Sequence, residues 1–469
     1  MERALKRQRS GAVPQRVVRA ALIGALSLAV PGCERASRRP DVVLISIDCL
    51  NQRQFEQSLA LGRAPNLARL AQDALVFQRG YAHAPWTTPS HMSMLTGLYP
   101  SQHGRDIPYG LMIRFRSGDD RVPLYQTLPE RLTAAGYEAV GFVGAGSISA
   151  AFGLGQGFSS YNESPRNNPE QSDLPATMSG IRTWLDTRRA DNRRERPFFL
   201  FLHTYELHYP LAEARSPFRR ALDYLDGKLG ELLTLLRERG AYDSSLIILT
   251  GDHGSRMMRA EEKCCVHGAG HYEENLRVPF VMKLPAGGPT GRREQLVRHV
   301  DILPTVLDVA GLQARSYDGP GSSILARLAQ RTPAEPILSY SEADGRCWSR
   351  RAVVDERYKY IYTPDRPIDQ VLAQSPLFFD AVCSSHKPCA KVPREELYDL
   401  RSDPFEEADL LKGSPEKEAT AALERLRTRL AAHINLPPAY RHRLTVGGSS
   451  PDQLDDATRE ALRALGYIQ

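Results

Sequence analysis

The chain has 469 residues, 42% of them hydrophobic and 25% charged, with a formal net charge of +6. That length accommodates one large α/β domain and a smaller one, and the composition is that of a globular protein, which excludes disorder and a multi-span membrane fold. Residues 1–32 carry Arg3, Lys6, Arg7, Arg9, Arg16 and Arg19 against Glu2, so nearly all the excess charge sits there; the rest has no basic block interleaved with aromatics, and no nucleic-acid partner is expected.

The basic start is followed by an apolar run, Ala20–Val30, too short to span a bilayer but suited to an export signal. It ends in Val30-Pro31-Gly32-Cys33. This resembles a bacterial lipoprotein cleavage site, with Pro31 unusual, so a lipid on Cys33 and a plain signal peptide over 1–33 both stay open. Either way the protein is expected to be exported to the periplasm or cell envelope. Of the other cysteines, Cys383 and Cys389 flank a polar loop and could form a disulfide, while Cys49, Cys264, Cys265 and Cys347 have no zinc-finger spacing.

After a polar linker, Asp41–Ile47 is a continuous apolar run ending at Asp48, the pattern of a strand buried on both faces of a parallel sheet. Similar runs recur at Glu138–Val143, Pro197–Leu202 and Ser245–Leu249, with a fifth at Phe280–Leu284. Helical spacing appears at Asn66–Leu75, Leu128–Ala134, Phe218–Arg239 and Pro304–Gly311. The alternation predicts an α/β fold, a doubly wound, mostly parallel sheet flanked by helices, over residues 40–320. Short β-like runs at Pro336–Tyr340, Arg351–Val354, Tyr358–Tyr362 and Glu396–Leu400 predict a small antiparallel-sheet subdomain over 335–410. Residues 411–469 read as a helical tail, with a charged amphipathic helix at 415–434 whose charged side is a solvated face.

In doubly wound sheets, polar loops at the carboxyl ends of the strands build the site. Asp48, His203, Glu206, His208, Asp252 and His253 all follow predicted strands. A helix start lies in Thr87-Thr88-Pro89-Ser90-His91: Pro89 suits the first helical position and Thr88 the N-cap. Such an N-terminus attracts anions, and a hydroxyl beside it can attack a tetrahedral ester once a metal lowers its pKa.

Taken in order, these segments resemble the sulfatase family of the alkaline phosphatase superfamily. The family's Cys/Ser-x-Pro-Ser-Arg and Thr-Gly-x-Tyr-Pro compare with Thr87–His91 and Thr96–Pro100. Its Ile-Asp-Thr-Leu compares with Ile47–Leu50, its Asp-His-Gly with Asp252–Gly254, its Asp/Glu-x-His-x-Pro with Glu206–Pro210, and its His-Gly-x-x-Leu-Tyr-Glu-Glu-x-x-Arg-Val-Pro with His267–Pro279. The resemblance implies a site in which Asp48, Thr87, Asp252 and His253 hold one or two divalent ions (zinc, manganese or calcium). His208 would hold substrate oxyanions or a second metal, and His267 would be a ligand or leaving-group acid. His203 is read either as a ligand or as a core histidine, the latter slightly favoured. His271 stands at a position apolar in the family.

Two departures matter. Thr87 replaces the Cys or Ser that becomes formylglycine, and oxidation of a Thr side chain would yield a ketone rather than that aldehyde. His91 replaces a permanently charged Arg, which predicts activity that titrates near neutrality. Related branches that use a Thr nucleophile act on phosphodiesters or transfer phosphoryl-linked groups. The expected function is therefore hydrolysis or transfer of a phosphate ester through a covalent Thr87 intermediate, on a small-molecule or glycan- or lipid-linked substrate. The alternatives are a sulfuric ester hydrolase working without formylglycine, and an inactive envelope- or glycan-binding member.

Overall fold

The structure is a computed structural model, and it describes residues 38–104, 121–123, 125–144, 146–164, 174–191, 195–208, 217–255, 270–312, 317–330, 336–344, 349–364, 393–437 and 439–442. The N-terminal segment expected to direct export, with Cys33, and also His267, Cys264, Cys265, Cys347, Cys383 and Cys389 lie outside these.

In chain order, the first half contains β1 (Val42–Ile47), α1 (Gln52–Ala60), α2 (Pro65–Gln72), β2 (Leu75–Tyr81), α3 (Thr87–Thr96), α4 (Pro100–His103), β3 (Arg121–Pro123), α5 (Leu128–Ala134), β4 (Glu138–Val143), β5 (Ser160–Glu163), α6 (Leu174–Ala190) and β6 (Phe198–Thr204). The second half continues with α7 (Pro217–Glu238), β7 (Leu246–Gly251), α8 (Glu273–Leu276), β8 (Arg277–Lys283), β9 (Gly291–Arg298), α9 (Ile302–Val309), α10 (Ile324–Ala329), β10 (Ser339–Asp344), β11 (Ser349–Val354), β12 (Tyr358–Tyr362), β13 (Glu395–Asp399), α11 (Lys417–Ile434) and β14 (Tyr440–His442).

An eight-stranded sheet in the order β5-β4-β6-β1-β7-β8-β2-β9 forms the main layer. Every pairing in it is parallel except those of β8, which runs against β7 and β2. Strand β1 lies between β6 and β7 with all six residues buried. Its alternate side chains feed two cores. Val43, Ile45 and Ile47 pack with Leu67, Ile181, Leu225 and Leu232 from α2, α6 and α7. Val42 and Leu44 pack with Met94, Leu128, Leu132 and Leu303 from α3, α5 and α9. Each such fully buried Leu or Ile contributes about 1.5–3 kcal/mol, so helices on both faces are a consequence of two apolar strand faces.

The small sheet, in the order β10-β11-β12-β13, is antiparallel throughout. Helix α11 does not stand apart from it: Ala419, Ala422, Leu423, Leu426 and Leu430 pack on Val353, Tyr358, Tyr360 and Leu397. Its charged residues occupy the opposite side, as its amphipathic pattern requires. A buried lysine fastens the small sheet near α8. Lys359 Nζ on β12 lies 2.8 Å from Glu273 Oε1 and 2.9 Å from Glu406 Oε1, and Tyr81 on β2 donates to Glu273. A second fastening involves α4. Glu342 on β10 accepts from the Ser101 backbone (2.7 Å) and hydroxyl (3.0 Å) and pairs with His433 of α11.

Candidate active site

Parallel register builds the centre. Ile47, the last residue of β1, sits beside Thr204 of β6 and Gly251 of β7. The next residues, Asp48 and Asp252, are anchored through their own backbone: Asp48 N–H donates to Thr204 O (3.0 Å) and Asp252 N–H to Ile47 O (3.2 Å). The chain then turns sharply at Cys49, which adopts the left-handed φ of 62°. That turn aims Cys49 N–H at Asp252 Oδ1, 3.2 Å away. Strand β2 ends on the same sheet edge and leads through Trp86 into α3, bringing Thr87 over the two carboxylates. Gly254 permits a different closeness: a Cβ there would lie 2.0 Å from Glu274 O and 2.8 Å from Asn51 Cβ.

Both carboxylates are 0% exposed. Asp252 divides its oxygens, since Oδ1 accepts from Cys49 N–H and from His253 N–H (2.7 Å), while Oδ2 is buried and accepts no hydrogen bond. His253 Nδ1 lies 2.9 Å from Gly254 O and must donate to it. In the neutral ring Nε2 then carries the lone pair, and it faces Asp252 Oδ2 (3.4 Å), Asp48 Oδ1 (3.7 Å) and Thr87 Oγ1 (3.3 Å). Thr87 Oγ1 is also 3.5 Å from Asp48 Oδ2. Donor atoms of Asp48, Asp252 and His253 all lie within 4.8 Å of one another. Burial, and then the charge of Asp48, push the Asp252 carboxyl above its ordinary value. Two buried carboxylates facing an imidazole lone pair repel each other unless a positive charge lies among them. An imidazole whose second nitrogen donates to a main-chain carbonyl is the usual dress of a metal-ligating histidine. The donor set therefore fits a divalent cation.

Several expectations change. Helix α3 begins at Thr87, with extended Trp86 as N-cap, so Thr88 is not the cap and Pro89 is not the first helical residue. The Thr88 hydroxyl instead donates to Ser147 O at 2.6 Å. Pro89 costs nothing one turn in, because the first N–H groups of a helix lack intrahelical partners anyway. His91 is no titratable surrogate for Arg near neutrality. It is fully buried, Nδ1 donates to Thr87 O (2.7 Å), and Nε2 accepts from Ser46 (2.8 Å). Burial first, then the neighbouring His203, push it down to about 3. It is a neutral brace across the first turn of α3.

His208 is buried and stacks on Tyr205 with ring centroids 4.3 Å apart. Its donor atom lies within 4.8 Å of those of Asp48 and Cys49. His203 Nδ1 donates to Gly144 O (2.7 Å), and Nε2 lies 3.6 Å from Asp48 Oδ2, so this histidine belongs to the cluster. Two further supports were not singled out in the sequence. Ser90 donates to Asp252 O, and His299 bridges Ser90 Oγ and Thr250 Oγ1, 3.1 Å from each. His299 lies between β9 and α9, where no sequence pattern named above marks it.

Residues 40–312 match the family model described as Sulfatase. Human arylsulfatase A is 27% identical, the match covering 88% of this chain and 92% of that one. The choline-sulfatase of Rhizobium meliloti (strain 1021) is 23% identical over 85% of this chain and 87% of its own. Among solved structures, the phosphonate monoester hydrolase of Agrobacterium radiobacter superposes with a TM-score of 0.60 at 18% identity, covering 84% of this chain and 96% of that one.

Proposed function

The chain belongs to the sulfatase family of ester hydrolases, and from that premise we propose that it is a metal-dependent phosphoester hydrolase whose nucleophile is Thr87. The observation that carries this reading is the Thr87 hydroxyl, which stands where the family places its formylglycine precursor, 3.3 Å from His253 Nε2 and 3.5 Å from Asp48 Oδ2.

Asp48, Asp252, His253 and Thr87 are the proposed ligands. A dication held by them would lower the pKa of the Thr87 hydroxyl and offset charge on the transferred group. Thr87 Oγ1 attacks phosphorus at the N-terminus of α3, where the helix dipole favours an anion. The bond to the leaving alcohol breaks, and the alcohol takes up a proton. We assign that proton to His267 and the holding of substrate oxyanions to His208. Water then cleaves the Thr87 ester and restores the hydroxyl. The relatives named above act, by their names, on aryl sulfate, choline sulfate and phosphonate monoesters, so the fold does not choose among them, and the reading rests on the side chain at position 87. A phosphoryl group carries more negative charge than a sulfuryl group and gains more from a cation and a helix N-terminus. The substrate class proposed is a small-molecule or glycan- or lipid-linked phosphate ester. The basic start and apolar run of residues 1–33 support export to the periplasm or cell envelope, with either a lipid on Cys33 or a plain signal peptide, which fatty-acid labelling of wild type and Cys33→Ser would decide.

The deciding experiment is a panel of aryl phosphate, phosphodiester, phosphonate and sulfate esters, assayed with several divalent metals, together with mass spectrometry of the peptide containing Thr87. Faster turnover of the phosphorus esters and a substrate-derived adduct on Thr87 are expected. A preference for aryl sulfate would instead support the second reading, a sulfatase working without formylglycine, which the names of the two sequence relatives favour.

A further inference from the structure

Helix α3 starts without the restraints a helix start usually has. Its N-cap, Trp86, makes no side-chain cap bond. Pro89 has no N–H to give, and Ser90 N–H reaches Trp86 O only at 3.4 Å. Side chains hold the turn from outside instead. Thr88 donates to Ser147 O at 2.6 Å, and Ser90 donates to Asp252 O. The peptide of Thr87 itself is held by His91, whose Nδ1 lies 2.7 Å from Thr87 O. A carbonyl oxygen only accepts, so Nδ1 carries the ring proton. The Nε2 lone pair of the neutral ring then takes the Ser46 hydroxyl at 2.8 Å. Ser46 is the polar exception on its face of β1, where it follows Val42 and Leu44 at the two-residue spacing of a strand. It is fully buried, between His203 of β6 and Thr250 of β7 in parallel register. A hydroxyl buried there needs a partner, and His91 supplies it. The imidazole is enclosed on other sides: it packs edge-on against His203, centroids 4.8 Å apart at 84°, and lies 5.9 Å from the Phe201 ring.

We propose that Ser46 and His91 act as a pair of positioning residues for Thr87: the strand hydroxyl fixes which ring nitrogen carries the proton, and the ring ties the Thr87 main chain to the central strand. This rests on the reading of Thr87 as nucleophile and deepens it. Neither residue touches the reacting atoms. Both ring nitrogens of His91 are engaged, with Thr87 O and with Ser46, so His91 acts on the chemistry only through Thr87. Ser46 stands two residues before Asp48 on the same chain. The pair therefore references the nucleophile to the strand that ends at Asp48, whose Oδ2 lies 3.5 Å from Thr87 Oγ1. A displacement of about 1 Å at a reacting atom costs on the order of 100-fold in rate. Loss of the His91–Thr87 bond should then appear in kcat, while substrate affinity stays nearly as it was.

Two replacements of matching shape separate the halves of the pair. The side-chain amide nitrogen of His91→Asn stands where Nδ1 stands and can donate to Thr87 O, whereas the amide of His91→Gln reaches Ser46 and leaves Thr87 O alone. The probe is an aryl phosphate, with the divalent metal that gives wild type its fastest turnover. His91→Gln should lower kcat about 100-fold with KM within about threefold, and His91→Asn should bring kcat back to within about tenfold of wild type. Ser46→Ala should lower kcat about tenfold, the loss of one buried hydrogen bond. Equal losses in the two folded His91 variants, or an unchanged kcat in His91→Gln or Ser46→Ala, overturns the assignment. A second measurement needs neither turnover nor a variant: a long-range ¹H–¹⁵N spectrum of the metal-free, histidine-labelled full chain, with the His91 ring identified by its proximity to the His91 amide. It should show the proton on Nδ1 and none on Nε2. A proton on Nε2 overturns the proposal whatever the kinetics. A wild type inactive on every phosphorus ester sinks the proposed function instead, and the spectrum still decides whether Ser46 and His91 hold Thr87.

Discussion

Asp252→Asn should move the protein in opposite directions with and without metal. In the metal-free chain, Asp48 and Asp252 offer carboxylate oxygens within 4.8 Å of each other, fully buried. At an effective dielectric of about 20, their repulsion is about 3 kcal/mol. Asparagine has nearly the same shape. Its Oδ1 keeps the two backbone N–H donors of Cys49 and His253, and its amide hydrogens replace Oδ2 opposite the His253 Nε2 lone pair, 3.4 Å away. The substitution thus removes a repulsion and adds a hydrogen bond, and the metal-free variant should be more stable than metal-free wild type by roughly 1–2 kcal/mol. With metal the sign reverses. Loss of an anionic ligand should weaken binding at least about 100-fold, since loss of outer-shell partners alone costs 10–100-fold. The roughly 2.7 kcal/mol that wild type gains at a metal concentration of 100 Kd is then forfeited. Thermal melts of chelator-treated and metal-loaded samples of both proteins check this, and the two pairs of curves should swap order. A metal-free variant that melts below metal-free wild type, or a variant that loads metal like wild type, refutes the reasoning.

Thr87→Ala should lower kcat by a factor on the order of 10⁴ or more while keeping the fold, measured as turnover beside circular dichroism. Lys359→Met should cost about 3–5 kcal/mol by stranding Glu273 and Glu406 without their buried cation, and replacing all three residues by apolar ones should recover most of it in urea titrations. Glu342 makes stability depend on acid. Burial would raise its carboxyl, but the hydrogen bond and charge of His433, then Arg351, outweigh that and hold it at about 2 against an ordinary 4.5. Its stabilisation is present above pH 4.5 and is lost as pH falls from there toward about 2. Glu342→Gln should therefore lower neutral stability by on the order of 3 kcal/mol and flatten acid unfolding across that window; an unchanged acid limb would contradict this.

The central strands were legible because burial on both faces leaves an unbroken apolar run, as in Val42–Ile47 and Glu138–Val143. Strands at the margins of the sheet were not. Ser160–Glu163 and most of Gly291–Arg298 are exposed or half-buried, so polar residues hide them. Leu75–Tyr81 carries Gln78 and Arg79 in its middle and follows directly on the helix Pro65–Gln72, whose apolar pattern runs into it. Asp48, Asp252 and His253 could be read as a site because each follows a strand that announces itself. The character of His91 could not, since whether a histidine titrates depends on burial and on distant partners such as Ser46 and His203. Thr88 failed for a similar reason: the Ser147 carbonyl that takes its hydroxyl is 59 residues away.

The Glu342–His433 couple sets a schedule for biogenesis. Ser101, just past the helix that carries Thr87, is held by a carboxylate 241 residues downstream, and that carboxylate is in turn paired with an imidazole a further 91 residues along. The ring of Tyr99 meets the ring of His433 at 4.5 Å. Contacts this distant in sequence must wait until the intervening chain exists, and they close slowly. A nascent polypeptide emerging from the ribosome can form β1, β2 and α3 early, yet it lacks the side chains that pin the far end of the Thr87 segment until residue 433 is made. Chains released prematurely should then accumulate with that segment unpinned, an open conformation for proteases to recognise.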